Sequence, residues 1–281
     1  MATYVIGDVH GSYQTLMALL QLVGYRSSAD KVWLVGDLVN NGPASTKIVR
    51  WAMQNEDHVT CVLGNHDLHM LAVAAGVRAA RPAKDTFLDV IRAPDAEQLI
   101  DWMRRRPLLH VQEGPRGPDV MVHAGLLPEW DLATAQRAAL MVSELLGDPE
   151  RWRELLASMY GNEPTRWADA HDDVARRRVA VNALTRTRMC RRDGSLELRY
   201  KGELVEHPPE LIPWFRHPDR KIRDGRIFFG HWSAIGYMHE HNIYALDSGC
   251  TWGKKLTAYC LEDDRVAQIT ARDATLAGAT E

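Results

Sequence analysis

The sequence is short of several things, and each shortage closes off a class of explanation. Only four of its 281 residues are cysteines, Cys61, Cys190, Cys250 and Cys260, and no two form a CxxC pair. That excludes a disulfide framework or a zinc knuckle and reads as reduced thiols in a cytoplasmic protein. Nor is there a basic excess: 34 lysines and arginines stand against 37 acidic residues, for a net charge of -3. The footprint of a general nucleic-acid binder is missing. No apolar run approaches membrane-spanning length. The first residues enter a β-like run, Tyr4-Val5-Ile6, without the basic and apolar regions of a leader. Cytoplasmic location and no membrane partner are therefore expected. Internal repeats and low-complexity tracts are lacking too, which argues against a solenoid.

What is present is apolar bulk, 46% of the residues, enough for one large α/β domain with room for an inserted subdomain. Short β-rich runs recur at residues 3–6, 31–35, 59–63, 120–122, 227–229, 243–246 and 256–261. Helical patterns separate the first three, with Tyr13, Leu16, Leu19, Leu20 and Val23 forming one apolar face and Ile48, Val49 and Met53 another. Such alternation predicts a sheet with parallel strands, covered by helices. From Asp131 to about Thr187 the pattern turns helical and rich in Ala, Arg and Trp. A polar stretch with a candidate hairpin at Gly194 then leads back to strands. The expected organisation is a catalytic core of residues 1–130 and 225–270, a mainly helical cap inserted at 131–224, and a frayed tail at 271–281. The arginine triplets at 104–106 and 176–178 read as solvated helix faces.

The chemistry lies just beyond the strands. Gly7-Asp8-Val9-His10-Gly11, Gly36-Asp37, Gly64-Asn65-His66-Asp67, His123-Ala124-Gly125 and Gly230-His231 each close one. In open α/β sheets ligands collect beyond the carboxyl ends of strands, and here five ends each deliver a metal-ligating side chain. Glycine ahead of four of them is expected to let the chain turn sharply. Carboxylates, imidazoles and an amide oxygen suit manganese, cobalt, iron or zinc in an open site. Asp8, His10 and Asp37 are the expected ligands of one cation, and Asp37, Asn65, His123 and His231 of a second, with Asp37 as the bridge. A water shared by two cations ionises near neutral pH, which points to in-line attack on a phosphoryl group. His66, beside Asn65 and not needed as a ligand, is the expected general acid. His69, three residues on and on the same helix face, is expected to line the pocket. Trp232 and Trp252 sit beside strand-end motifs and are the candidates for stacking on a base. Asp247 ends a strand likewise and is a candidate to orient a ligand. A single GD dipeptide or histidine would be an ordinary turn or surface residue; it is the repetition at five strand ends that carries the reading.

In this order, the motifs resemble the phosphoprotein-phosphatase branch of the calcineurin-like metallophosphoesterases. Longer stretches, among them Leu63-Gly64-Asn65-His66-Asp67-Leu68-His69, Met159-Tyr160-Gly161 and Asn182-Ala183-Leu184-Thr185-Arg186-Thr187-Arg188, resemble the bacterial symmetrical bis(5'-nucleosyl)-tetraphosphatases. The resemblance implies a metallophosphoesterase-type β-sandwich flanked by helices, with cobalt or manganese as cofactor. It also implies cleavage of diadenosine tetraphosphate to two ADP, with other dinucleoside polyphosphates and RNA 5' ends capped by them as further substrates. One departure stands out. Where the family has a phosphate-binding arginine before the glycine of GDxVxRG, this chain has Asn41, preceded by Asn40. Phosphate binding is then expected to fall on Arg186 and Arg188, with Asn41 contributing a neutral contact. Asn40 is expected to orient His66 as a neutral acceptor. A phosphoserine/threonine phosphatase and a catalytically idle metal-binding regulator are the alternatives.

Overall fold

Period-two alternation along the strands sorts their side chains onto two faces, and those two faces define the architecture. A computed structural model describes residues 1–273. The first half alternates β1 (Thr3–Ile6), α1 (Tyr13–Leu22), β2 (Lys31–Leu34), α2 (Ser45–Gln54), β3 (Val59–Cys61) and α3 (Asn65–Ala74). Helices α4 (Leu88–Ile91) and α5 (Ala96–Arg104) and the hairpin β4 (Leu109–Gly114) and β5 (Gly117–Val122) come after them. Next are α6 (Leu132–Gly147), α7 (Trp152–Ser158) and α8 (Asp173–Arg186). Short strands β6 (Met189–Arg191), β7 (Leu196–Glu197) and β8 (Leu211–Pro213) make a sheet of their own in the order β7-β6-β8. The chain ends in β9 (Arg226–Phe229), β10 (Met238–Glu240), β11 (Ile243–Ala245), β12 (Lys255–Cys260) and β13 (Val266–Thr270). Most of the tail expected at 271–281, residues 274–281, lies outside the described residues.

Two five-stranded sheets, in the orders β13-β12-β1-β2-β3 and β10-β11-β9-β5-β4, form the sandwich. Val5, Trp33 and Tyr259 from the first meet Met121, Phe228 and Tyr244 from the second in one buried cluster. Their sequence neighbours Tyr4, Ile6, Val32 and Leu34, like Val120, Val122, Ile227 and Phe229, face the other way and join the cluster that contains the helices. This is the alternation a strand enforces. β1, β2 and β3 run parallel with Ile6 opposite Leu34 and Leu34 opposite Cys61, and β9 lies parallel between β5 and β11. Their carboxyl ends are thus level within each sheet.

Two readings from composition need correction. Arg104 is no solvated arginine: it is 6% exposed, and its guanidinium donates to the Leu146 and Gly147 carbonyls at the end of α6. A cation there answers the unpaired carbonyls of a helix terminus. His217, a histidine away from any strand end and for that reason expected at the surface, is 3% exposed, with Nε2 facing the Arg191 carbonyl. Elsewhere local chemistry sets the boundaries as the sequence suggests. Asp131 and Asp172 accept hydrogen bonds from the backbone of Thr134 and Ala175, capping α6 and α8. α7 packs against α3, the helix that begins at Asn65.

Candidate metal centre

The loops after β1, β2 and β9 place their functional residues in a backbone conformation that most side chains avoid. His10 (φ 44°), Asp37 (φ 50°) and His231 (φ 66°) all lie in the left-handed region, as do Asn40 (φ 74°) and Asn41 (φ 61°). Each costs on the order of 1 kcal/mol and persists only where the surroundings hold it. Gly36 (φ 102°) turns the chain as expected, but Gly7, Gly64 and Gly230 do not, and at His10 and His231 the turning is done by the ligand itself. Gly64 and Gly230 are needed for room: a Cβ there would lie 2.0 Å from Asp37 Oδ1 and 1.8 Å from Asp8 Oδ1.

Side chains from five strand ends converge at the sandwich edge. Asp37 Oδ2 lies between two imidazoles, 3.5 Å from His10 Nε2 and 3.4 Å from His123 Nε2. His10 Nε2 is also 3.9 Å from Asp8 Oδ2, and His123 Nε2 is 3.2 Å from Asn65 Oδ1. Both rings have their other nitrogen facing a carbonyl, His10 Nδ1 at 3.1 Å from Val39 O and His123 Nδ1 at 2.9 Å from Val35 O. A ring that donates N–H to a carbonyl turns its lone pair to the opposite side, here toward carboxylate oxygens that also carry lone pairs. Such a set is repulsive unless a cation or a proton lies within it. His231 closes the far side, its backbone N–H on the Asp8 carboxylate at 3.0 Å and its Nε2 3.1 Å from the Arg186 carbonyl.

Electrostatics agree with the geometry. Burial works against a charge on His123, yet Asp37 and Asp8 carry its pKa up to about 10, so that a proton stands where a cation would. Burial also opposes charge on Asp37, but the His123, His66 and His10 rings hold its carboxyl well below the usual range. Asp8 is pushed well up by burial and by the nearby carboxylate of Asp247. The donor set is two aspartates, imidazoles and an amide oxygen, with the four cysteines buried elsewhere. It fits divalent transition metals.

His66 stands at the mouth. Its backbone N–H donates to Asp37 Oδ1 at 2.9 Å, and its ring meets the His10 ring edge-on at 5.0 Å. Its Nδ1 is 2.7 Å from Asn40 Nδ2. Here the expected polarity is reversed. The backbone N–H of Thr86 donates to Asn40 Oδ1 at 2.9 Å, so the amide NH2 must face the ring, and Nδ1 of His66 must accept. Asn40 is a donor, not an acceptor, and the ring's proton sits on Nε2. Burial pushes the His66 pKa down to about 4.

The remaining candidates divide by place. Arg186, half-buried, donates to Asn182 Oδ1 at 2.7 Å and Asn162 Oδ1 at 3.1 Å, and no carboxylate pairs with it among the described residues. Arg188 donates to the His231 carbonyl at 3.1 Å. His69 lies between the Tyr160 hydroxyl (3.1 Å) and Arg81 (3.0 Å). Asp247 accepts from the Gly249 N–H and acts on Asp8 through its charge. Trp252 is half-buried on a short 3-10 turn, and Asn41 is half-buried in the loop after β2. Trp232 is a correction: 2% exposed, with Nε1 donating to the Gly202 carbonyl and Phe215 and Tyr200 nearby, it offers no face to a base. Its place beside His231 puts it under the segment at 200–207. Two residues were missed. Asp67, fully buried, accepts from the backbone of Leu38, Val39 and Gly64 and so joins the loops that carry Asp37 and Asn65. Its position in the GNHD run was the available signal. Thr86, which sets the Asn40 amide, lies in a stretch without any.

Comparison with known proteins bears on the same residues. The calcineurin-like phosphoesterase family profile matches residues 1–232. A protein of Methylobacillus flagellatus named symmetrical bis(5'-nucleosyl)-tetraphosphatase is 45% identical, over 98% of this chain and 97% of its own. One of the same name from Chromobacterium violaceum is 46% identical, over 96% and 95%. Among solved structures, a crystal structure provisionally assigned as a diadenosine tetraphosphatase shares the fold at a TM-score of 0.63 and 18% identity, covering 96% of this chain and 93% of that one. A Saccharomyces cerevisiae serine/threonine phosphatase shares it at 0.54 and 11%, covering 98% and 81%.

Proposed function

The chain belongs to the calcineurin-like phosphoesterase family, and from that premise we propose that it hydrolyses diadenosine tetraphosphate symmetrically, releasing two ADP. One observation carries the substrate assignment. The likeness to relatives of that name runs nearly end to end and so includes residues 131–224, the segment we read as a cap on the core of 1–130 and 225–270. That segment supplies Arg186, whose backbone carbonyl meets the His231 ring and whose guanidinium is held by two amide oxygens and left free of acidic partners among the described residues. An uncompensated cation at that place suits a polyphosphate chain.

Asp8, His10 and Asp37 would hold one divalent cation, and Asp37, Asn65, His123 and His231 a second; the mixed carboxylate and imidazole set fits divalent transition metals, and manganese or cobalt is the choice the family resemblance implies. When bound, the pair supplies the Lewis acidity that ionises water and neutralises phosphoryl oxygens. The protein does the rest. Val39 and Val35 carbonyls fix the His10 and His123 rings with Nε2 inward. Arg186, Arg188 and Asn41 orient the anionic chain, and His66 presents Nε2–H to the leaving oxygen. A departing ADP phosphate is weakly basic, so a hydrogen bond from a neutral ring serves it without full proton transfer. RNA 5' ends joined to a nucleoside tetraphosphate present the same anhydride and fall under the same reading. Among the described residues no helix is long and apolar enough to cross a membrane.

The test is to incubate manganese-loaded protein with diadenosine tetraphosphate and, separately, with a phosphoserine peptide. ADP as the sole nucleotide product is expected. AMP with ATP, or faster release of phosphate from the peptide, would overturn the assignment.

A further inference from the structure

The aromatic residue that faces this site from the cap is Tyr160, and what lies on it is a cation. The Arg78 guanidinium carbon is 3.8 Å from the Tyr160 ring centroid. Arg78 is exposed and Tyr160 half-buried, and Arg78 forms no ion pair among the described residues. The pair is tied to the metal centre along two routes. The Tyr160 hydroxyl meets His69 Nδ1 at 3.1 Å, and His69 stands one helical turn beyond His66 on α3, so a single side chain links the platform to the residue that faces the leaving group. His69 Nε2 meets Arg81, whose guanidinium donates from Nε and Nη2 to the buried Asp85 carboxylate. The next residue, Thr86, donates to Asn40.

We propose that Arg78 and Tyr160 form the platform on which one purine ring of the dinucleotide stacks, an inference that rests on the substrate reading above. A guanidinium lying over a phenol ring at 3.8 Å is desolvated on that side, and because Arg78 is exposed its other side is accessible to a planar base. Other large aromatics near the cap are taken. Trp130 and Trp232 are buried, and Trp167 packs T-shaped against Trp130 at 5.2 Å. An anionic ligand could use the Arg78 charge without stacking, and the two uses differ in what they demand of the side chain. Charge survives Arg78→Lys, whereas the planar stack does not.

The experiment measures KM for diadenosine tetraphosphate against Ki for inorganic tetraphosphate, a competitor with the same anhydride chain and no base. In manganese-loaded Arg78→Ala, Arg78→Lys and Tyr160→Ala, the ratio of KM to Ki should rise on the order of tenfold over wild type, the scale of one lost stack. Tyr160→Phe, which keeps the ring, should move it less than Tyr160→Ala. Equal rises in KM and Ki, or a ratio restored by Arg78→Lys, would overturn the stacking platform. A ratio that stays at the wild-type value in Arg78→Ala and Tyr160→Ala would do the same while leaving the substrate assignment intact. Failure of the wild-type protein to release ADP is the separate result that removes the assignment itself, and the platform with it.

Discussion

Replacing Asn40 by Asp reverses one hydrogen bond and should change which leaving groups the site can expel. In the natural protein the Thr86 N–H engages Asn40 Oδ1, the amide NH2 faces His66 Nδ1 at 2.7 Å, and burial pushes the ring's pKa down to about 4. Near pH 7 only about one ring in a thousand is then imidazolium, three pH units above its pKa. An aspartate keeps the Thr86 contact and offers its second oxygen to Nδ1–H. An opposite charge at that distance raises a pKa by about 1–3 units, so the imidazolium population near pH 7 grows roughly ten- to 500-fold. Hydrolysis of phenyl phosphate, whose leaving oxygen needs a full proton, should accelerate by about ten- to a hundredfold. Diadenosine tetraphosphate turnover should change by less than about threefold, because its leaving phosphate departs without one. The sign sets the window: the fold gain grows as pH rises from about 4 and levels off above the new pKa, where the absolute imidazolium population falls in both proteins, and it vanishes below about 4, where the natural ring is protonated as well. Asn40 is 3% exposed, so the new charge also lowers the melting temperature, and rates are normalised to folded, metal-loaded protein. The assay is initial rates over a series of aryl phosphates of graded leaving-group acidity, where the dependence on leaving group should become shallower. A uniform change across the series, or none, would refute the reasoning.

Three further outcomes rest on the same geometry. Asp37→Asn should reduce metal content from about two to below one per chain and abolish turnover, because Oδ2 lies between His10 and His123 and its charge holds both sites; full metal occupancy with activity would disprove the bridge. Since the His123 pKa is carried up to about 10, the metal-free protein is protonated there near pH 8, and metal uptake should expel on the order of one proton per chain and tighten with rising pH up to that value. Calorimetry in buffers of different ionisation enthalpy reads this directly, and a heat independent of buffer would exclude it. Asn41→Arg should raise kcat/KM for diadenosine tetraphosphate by several-fold to about tenfold, the difference between a charge-assisted and a neutral contact, with a gain that shrinks in salt. Because Asn41 holds φ 61°, the same change should destabilise the fold by on the order of 1 kcal/mol, seen as a lower melting temperature.

The residues of the candidate metal centre were legible in the sequence because each sits at the end of a β run and the signals involved are local. Asp8, His10, Asp37, Asn65, His123 and His231 all stand where a strand stops, and strand periodicity and turn residues are written over a few adjacent positions. The sandwich was legible only through the family resemblance: strand–helix alternation predicts one helix-covered sheet, whereas the structure pairs ten strands into two. What the tertiary structure alone decided are the contacts made across long stretches of chain, for which no local pattern exists. Asp8 accepts from His231, 223 residues away, and Asn40 has its amide turned by Thr86, 46 residues away, which inverts the polarity at His66. Trp232 looked available beside its motif, but the Gly202 carbonyl and Phe215 bury it. Arg104 looked solvated within its triplet until the end of α6 came to rest on it. A side chain's type is a property of the sequence, whereas the direction of its hydrogen bonds and the water it retains depend on which distant groups pack against it.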